Sequence, residues 1–119
     1  MAQVGLRKLS GSIDGRGIKV VATASAGTLI HTAVAGVVAG TWDQVEVYAY
    51  NSDTVARLLT LQWGGTTSPD DDIKVTIQPQ SGLVAVVVDG ILQNGAVVRA
   101  YAAAANVITI HGCARAVIA

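Results

Sequence analysis

The chain has 119 residues, 51% of them apolar and only 13% charged, with eight Lys and Arg balancing eight Asp and Glu. A domain of this length buries roughly two-thirds of the surface its unfolded chain exposes, so it can build one core. Zero net charge excludes the basic field that draws nucleic acid or an anionic membrane surface, and a charged fraction about half the typical ~25% predicts self-association.

The single cysteine, Cys113, excludes an internal disulfide framework and any multi-cysteine zinc site. The opening "MAQVGLRKLS" carries no apolar signal-peptide core, and the longest apolar run, "GLVAVVV" from Gly82, stops at Asp89. That run is far short of the ~20 residues that cross a bilayer as a helix, so it reads as a buried strand. The expectation is a soluble chain that is not exported.

Residues 1–14 show no alternation and close on "DGRG", a good turn, so they are expected to form an N-terminal arm ahead of a single domain over 15–119. In the arm, Leu6, Arg7, Lys8 and Leu9 lie between the loose joints Gly5 and Gly11. Fixing such a segment on its own costs roughly 1–2 kcal/mol per residue, so it is expected to order against a partner. Leu6 and Leu9 would enter a groove there, and Arg7 and Lys8 would meet carboxylates. Gly11, Gly15 and Gly17 have the look of a phosphate loop, but no helical pattern follows them and they read as turn residues.

From Ile18 onward nearly every segment alternates with period two, is rich in Val, Ile and Thr, and ends at Gly, Asn, Asp or Pro. Strands are expected over 18–24, 29–35, 44–50, 56–63, 73–78, 83–88, 97–102, 107–111 and 114–118. Short strands separated by turns predict an all-β fold, an antiparallel β-sandwich of jelly-roll type with about eight strands. In "IKVTI", Ile73, Val75 and Ile77 face the core while Lys74 and Thr76 face water. By contrast "LVAVVV" and "NVITI" are apolar on both faces, or nearly so, as for strands covered by sheet on one side and by something else, such as a neighbouring subunit, on the other. The run "AYAAAANV" reads as a strand leading into a small-residue loop, with a single helical turn as the alternative.

The stretch "LQWGGTTSPDDDI" is the densest candidate site. Trp63 shares a strand face with Leu59 and Leu61 and plugs one end of the core, Gly64 and Gly65 permit positive φ, and Pro69 fixes the turn. Asp70 or Asp71 then accepts hydrogen bonds from turn amides. Calcium at Asp70, Asp71 and Asp72 is the alternative. Ca²⁺ takes about six to eight oxygens, however, and consecutive side chains of an extended segment point to opposite faces, so a solvated turn is expected.

His111 and Cys113 lie on one face if "HGC" is extended, and His31 completes a possible zinc set. The plainer reading is a His near a strand end and a Cys packing as a small apolar residue. No nucleophile elbow places a Ser or Cys113 beside a His and an acid, so neither a catalytic residue nor a cofactor is expected. Tyr48 and Tyr50 share a strand face opposite Val45, Val47 and Ala49. With Trp42 and Tyr101 they form either a sugar-stacking platform or, the reading preferred here, part of a subunit interface.

The stretches "EVYAYNS", "LTLQWGGTTSPDDDI" and "TIQPQSGLVAVVVDGILQNGAVVRAYAAAANVITIHG" resemble a group of small β-rich virion proteins of tailed phages, over roughly residues 28–112. Proteins of this kind are similar to capsid decoration, or cement, proteins. The resemblance implies a non-enzymatic β-sandwich, a homotrimer, that binds the major capsid protein on the outer surface of the head and braces the shell. It implies a location on the virion after synthesis in the host cytoplasm. The alternative is a carbohydrate- or ligand-binding β-sandwich, such as a head-fibre or tail component, that uses Tyr48, Tyr50 or Trp42.

Overall fold

The computed structural model describes residues 3–119. Among them the alternating segments form nine strands and no helix: β1 (Gln3–Lys8), β2 (Ile18–Lys19), β3 (Thr28–Thr32), β4 (Trp42–Asn51), β5 (Arg57–Trp63), β6 (Asp72–Ile77), β7 (Val84–Leu92), β8 (Val97–Ala102) and β9 (Ile108–Ile118). They make two antiparallel sheets packed as a β-sandwich. Sheet A runs β1-β9-β4-β7, with β2 also on β9; sheet B runs β3-β8-β5-β6.

The pairings are nested: β5 with β6, β4 with β7, β3 with β8, and both β1 and β2 with β9. The chain is thus one long hairpin, turned at residues 64–71 and rolled until its arms fill both sheets. This is the jelly-roll connectivity, with β1 and β2 together serving as its first strand.

Alternation decides which side chains meet between the sheets. Val45, Val47 and Ala49 of β4 and Ile108, Ile110 and Ala114 of β9 point inward, against Leu59, Leu61, Val98 and Ala100 of sheet B. Each buried Val, Leu or Ile contributes about 1.5–3 kcal/mol. Ile73, Val75 and Ile77 turn to this core while Lys74 and Thr76 are exposed, and Trp63 packs half-buried at its end, all as the sequence predicts.

At the turn between β5 and β6, Asp71 Oδ2 accepts the Thr67 amide at 3.0 Å and Asp72 Oδ2 accepts the Ser68 hydroxyl at 2.8 Å. The Trp63 amide donates to the Asp71 carbonyl at 2.8 Å. Two of the three acids therefore hold the turn's own donors.

Four expectations change. Of the strand expected over 18–24 only Ile18–Lys19 pairs, as β2 on β9. Segment 1–14 is not an appendage in its described part: β1 is an edge strand paired with β9 from Gln3↔Ile118 to Lys8↔Cys113. Its apolar residues Val4 and Leu6 face outward and its inward position is Arg7, so the usual in-and-out pattern is inverted and gives no strand signal. Leu9 follows it into the core at 1% exposure.

The two segments expected around Gly112 are one strand, β9. Gly112 lies opposite Val47, and a Cβ there would fall 2.0 Å from the Glu46 carbonyl oxygen, so only glycine lets β9 continue past β4. The apolar run read as a buried strand is on an edge strand, β7: this chain covers one of its sides and leaves open the side for which another covering was expected. Val84, Val86 and Val87 pack against the core while Ala85, Val88 and Ile91 are exposed.

Leu9→Ala is expected to cost about 2–5 kcal/mol in denaturant unfolding, whereas Leu6→Ala stays within about 0.5 kcal/mol. Equal costs would contradict this placement of β1. Gly112→Ala is expected to cost roughly 3 kcal/mol, the upper end for an overpacked site, by the same measurement.

Candidate functional site

The outer face of sheet A collects most of the side chains with a possible binding role, because β1, β9 and β4 alternate in phase. Its cross-strand rows run Val4–Val117–Trp42, Leu6–Arg115–Gln44, Lys8–Cys113–Glu46, His111–Tyr48 and Thr109–Tyr50. The first two rows are the more apolar end. Val4 is 63% and Leu6 70% exposed there, with half-buried Trp42 and Val117 beside them and exposed Ile91 across from Gln44. A polar thread crosses this end, from Arg115 Nη1 to Gln44 Oε1 at 3.3 Å and from Gln44 Nε2 to Asp89 Oδ1 at 2.8 Å.

Of the residues expected to contact a partner, Leu6, Lys8, Tyr48 and Tyr50 lie on this outer face. The other two do not. Leu9 is buried in this chain's own core, and Arg7 points inward to pair with Asp43. The Lys8 ammonium donates to the Ser12 carbonyl at 3.0 Å. Tyr101 is on the opposite sheet beside Thr60, so the four platform candidates Trp42, Tyr48, Tyr50 and Tyr101 divide three to one between the sheets.

Inside the sandwich, Asp43 is fully buried. Its Oδ2 accepts from the Arg7 guanidinium, from His31 Nε2 at 2.7 Å and from the Val34 amide at 3.2 Å. The Ser10 amide donates to His31 Nδ1 at 3.0 Å, so the ring is the Nε2–H tautomer and uncharged. Burial lowers the His31 pKa, against the pull of Asp43.

Ser10, His31 and Asp43 are the residue types of a hydrolytic triad, but Ser10 meets His31 through its amide. Its hydroxyl instead accepts the Thr32 amide at 2.6 Å, so this set is arranged as a structural clasp. Nothing in the sequence marked Asp43 for this role, since a single acid at the start of a strand carries no pattern.

The candidate zinc residues are separated. His31 is interior, whereas His111 and Cys113 are on the outer face. Among the described residues no three of His, Cys, Asp and Glu gather as a metal set. Burial and the neighbouring Glu46 raise the Cys113 thiol pKa, which disfavours the reactive thiolate. Compared with known proteins, the chain matches no family model, no curated protein and no solved structure.

The uncharged His31 makes the fold acid-sensitive. Its folded pKa lies below the ordinary 6.5, so as pH falls through that value the unfolded chain takes up the proton first and stability drops. Calorimetry between about pH 7.5 and 5.5 should show the melting temperature falling in the wild type and a smaller fall in His31→Gln, whose amide can serve both Ser10 and Asp43.

Proposed function

We propose that this protein is a structural virion component, a decoration protein that binds the major capsid protein on the outside of a phage head and stabilises the shell as a homotrimer. The observation that carries the reading is the uncovered apolar end of sheet A, where Val4, Leu6, Trp42, Val117 and Ile91 lie on one face of four adjacent strands. Exposed apolar surface of this kind, though crossed by the Arg115–Gln44–Asp89 thread, marks a protein interaction site, and a charged fraction of 13% leaves little else to keep the face wet.

Exposed Val88 and Leu83 at the β7 edge extend the uncovered surface, and repeated copies on a closed shell give such faces a place to be buried. The resemblance over residues 28–112 supports the same class. The buried clasp at Asp43 serves the fold, which accords with a structural role.

Light scattering at micromolar concentration should give a trimer, and co-sedimentation with undecorated heads should show saturable binding. Leu6→Asp combined with Val4→Asp should reduce one or both by at least about tenfold while leaving the fold intact. A clean monomer that ignores the shell would overturn the proposal.

A further inference from the structure

The other end of the same face carries a cleft of about 410 Å³ between the 11–17 turn and β9. Arg16, Lys19 and His111 line it together with the hydroxyl-bearing Thr109 and the apolar Ile13, and no acid is among its lining residues. Gly17 brings the turn down onto β9, where a Cβ would fall 2.3 Å from Thr109 Cγ2 and 2.7 Å from His111 Nε2.

Five of the other six cations are occupied, and the sixth, Lys74, is exposed on β6 of the opposite sheet, away from this cleft. Arg7 is held by Asp43, Lys8 by the Ser12 carbonyl, Arg57 by Asp53, Arg99 by the Gly27 carbonyl and Arg115 by Gln44. Arg16 and Lys19 take part in no ion pair among the described residues. A neutral protein thus places two unpaired cations and a histidine around one concavity, with Asp14 of the same turn outside its lining, which favours positive potential there.

The floor of the cleft runs directly into aromatic surface. Thr109 is the register partner of Tyr50, and His111 that of Tyr48, so both rings stand one strand away on the same outer face.

We propose that this cleft binds an acidic sugar. Its carboxylate or phosphate lies between Arg16, Lys19 and His111, the Thr109 hydroxyl meets a ring hydroxyl, and the apolar face of the pyranose rests on Tyr50 and Tyr48. A compact oxyanion satisfies the cations but leaves the tyrosines unused, and a neutral sugar does the reverse. Only a ligand with both parts fits the whole surface.

The test is an NMR chemical-shift titration of the intact protein with glucuronate, glucose 6-phosphate, glucose, inorganic phosphate and adenosine monophosphate. Glucuronate or glucose 6-phosphate should bind at least about tenfold tighter than glucose or phosphate, and whichever binds tighter tells whether the group is a carboxylate or a phosphate. The Arg16→Ala/Lys19→Ala variant, altered only at exposed positions, should lose about tenfold for the acidic sugar with an unchanged melting temperature. Tyr50→Ala should weaken the sugars and leave inorganic phosphate unaffected.

No shifts at millimolar ligand, phosphate or adenosine monophosphate binding as tightly as the acidic sugars, or an unaffected double variant would each overturn the assignment. The titration uses the isolated protein, so its failure leaves the shell-binding proposal standing, and the converse also holds.

Discussion

A carboxylate with no access to water organises this molecule. Isolated in a protein interior, the Asp43 charge would carry a penalty of several kcal/mol, so donors must converge on it. They come from two separate stretches: Arg7 on β1, and His31 on β3 with the Val34 amide just beyond it. Pairing one oxygen of this acid, Oδ2, therefore draws the first strand, the edge of the opposite sheet and the connection leading to β4 to a common point, while Oδ1 stays buried without a partner. Strand geometry then propagates the choice. With Arg7 turned inward, period two turns Val4, Leu6 and Lys8 outward, and the apolar end of sheet A follows from a polar requirement inside it.

The two sheets differ in how they meet solvent. Over sheet B, the segment before β3 folds across the outer face, and Gln62 accepts the Gly27 amide at 2.8 Å and donates to the Ser25 hydroxyl at 2.8 Å. Gln62 and Thr60, outward by register, are buried as a result. Sheet A has no comparable covering among the described residues, and its outer face grades from apolar at the Val4 row to aromatic and cationic at the Tyr50 row. One bare sheet thus offers two adjacent surfaces of different chemistry.

The sandwich was legible where alternation faces a dry core. β4, β5, β6 and β8 fall close to their expected limits because Val45, Val47, Leu59, Leu61, Ile73 and Val98 mark one face at every second position. β1 was hidden because its inward residue is an arginine paired with a distant acid, a relation that needs the fold before it can be seen. The break expected in β9 came from reading Gly112 as punctuation when it answers a close backbone approach. β7 showed its apolar content but not its edge position, since composition does not reveal how many neighbours a strand has. Tyr48 and Tyr50 were placed correctly on one face by period alone. The cleft was not visible, because Arg16 and Lys19 meet His111 only through the pairing of β2 with β9.

The nested pairing also constrains the order of assembly. Only β5 and β6 can meet by closing a short loop, residues 64–71; β4 with β7, β3 with β8 and the terminal strands with β9 span progressively more of the chain. Loop-closure entropy rises with the logarithm of length, so each inner pair, once formed, shortens the effective loop for the next. Such a chain zips from its middle outward, and the strands at both ends join last. With nearly all pairings non-local, its folding belongs on the millisecond-to-second scale of β-sandwiches. Until that final closure the edge formed by β9 stays unpaired, so newly made chains at high concentration have a brief opportunity to pair with one another before they pair with themselves.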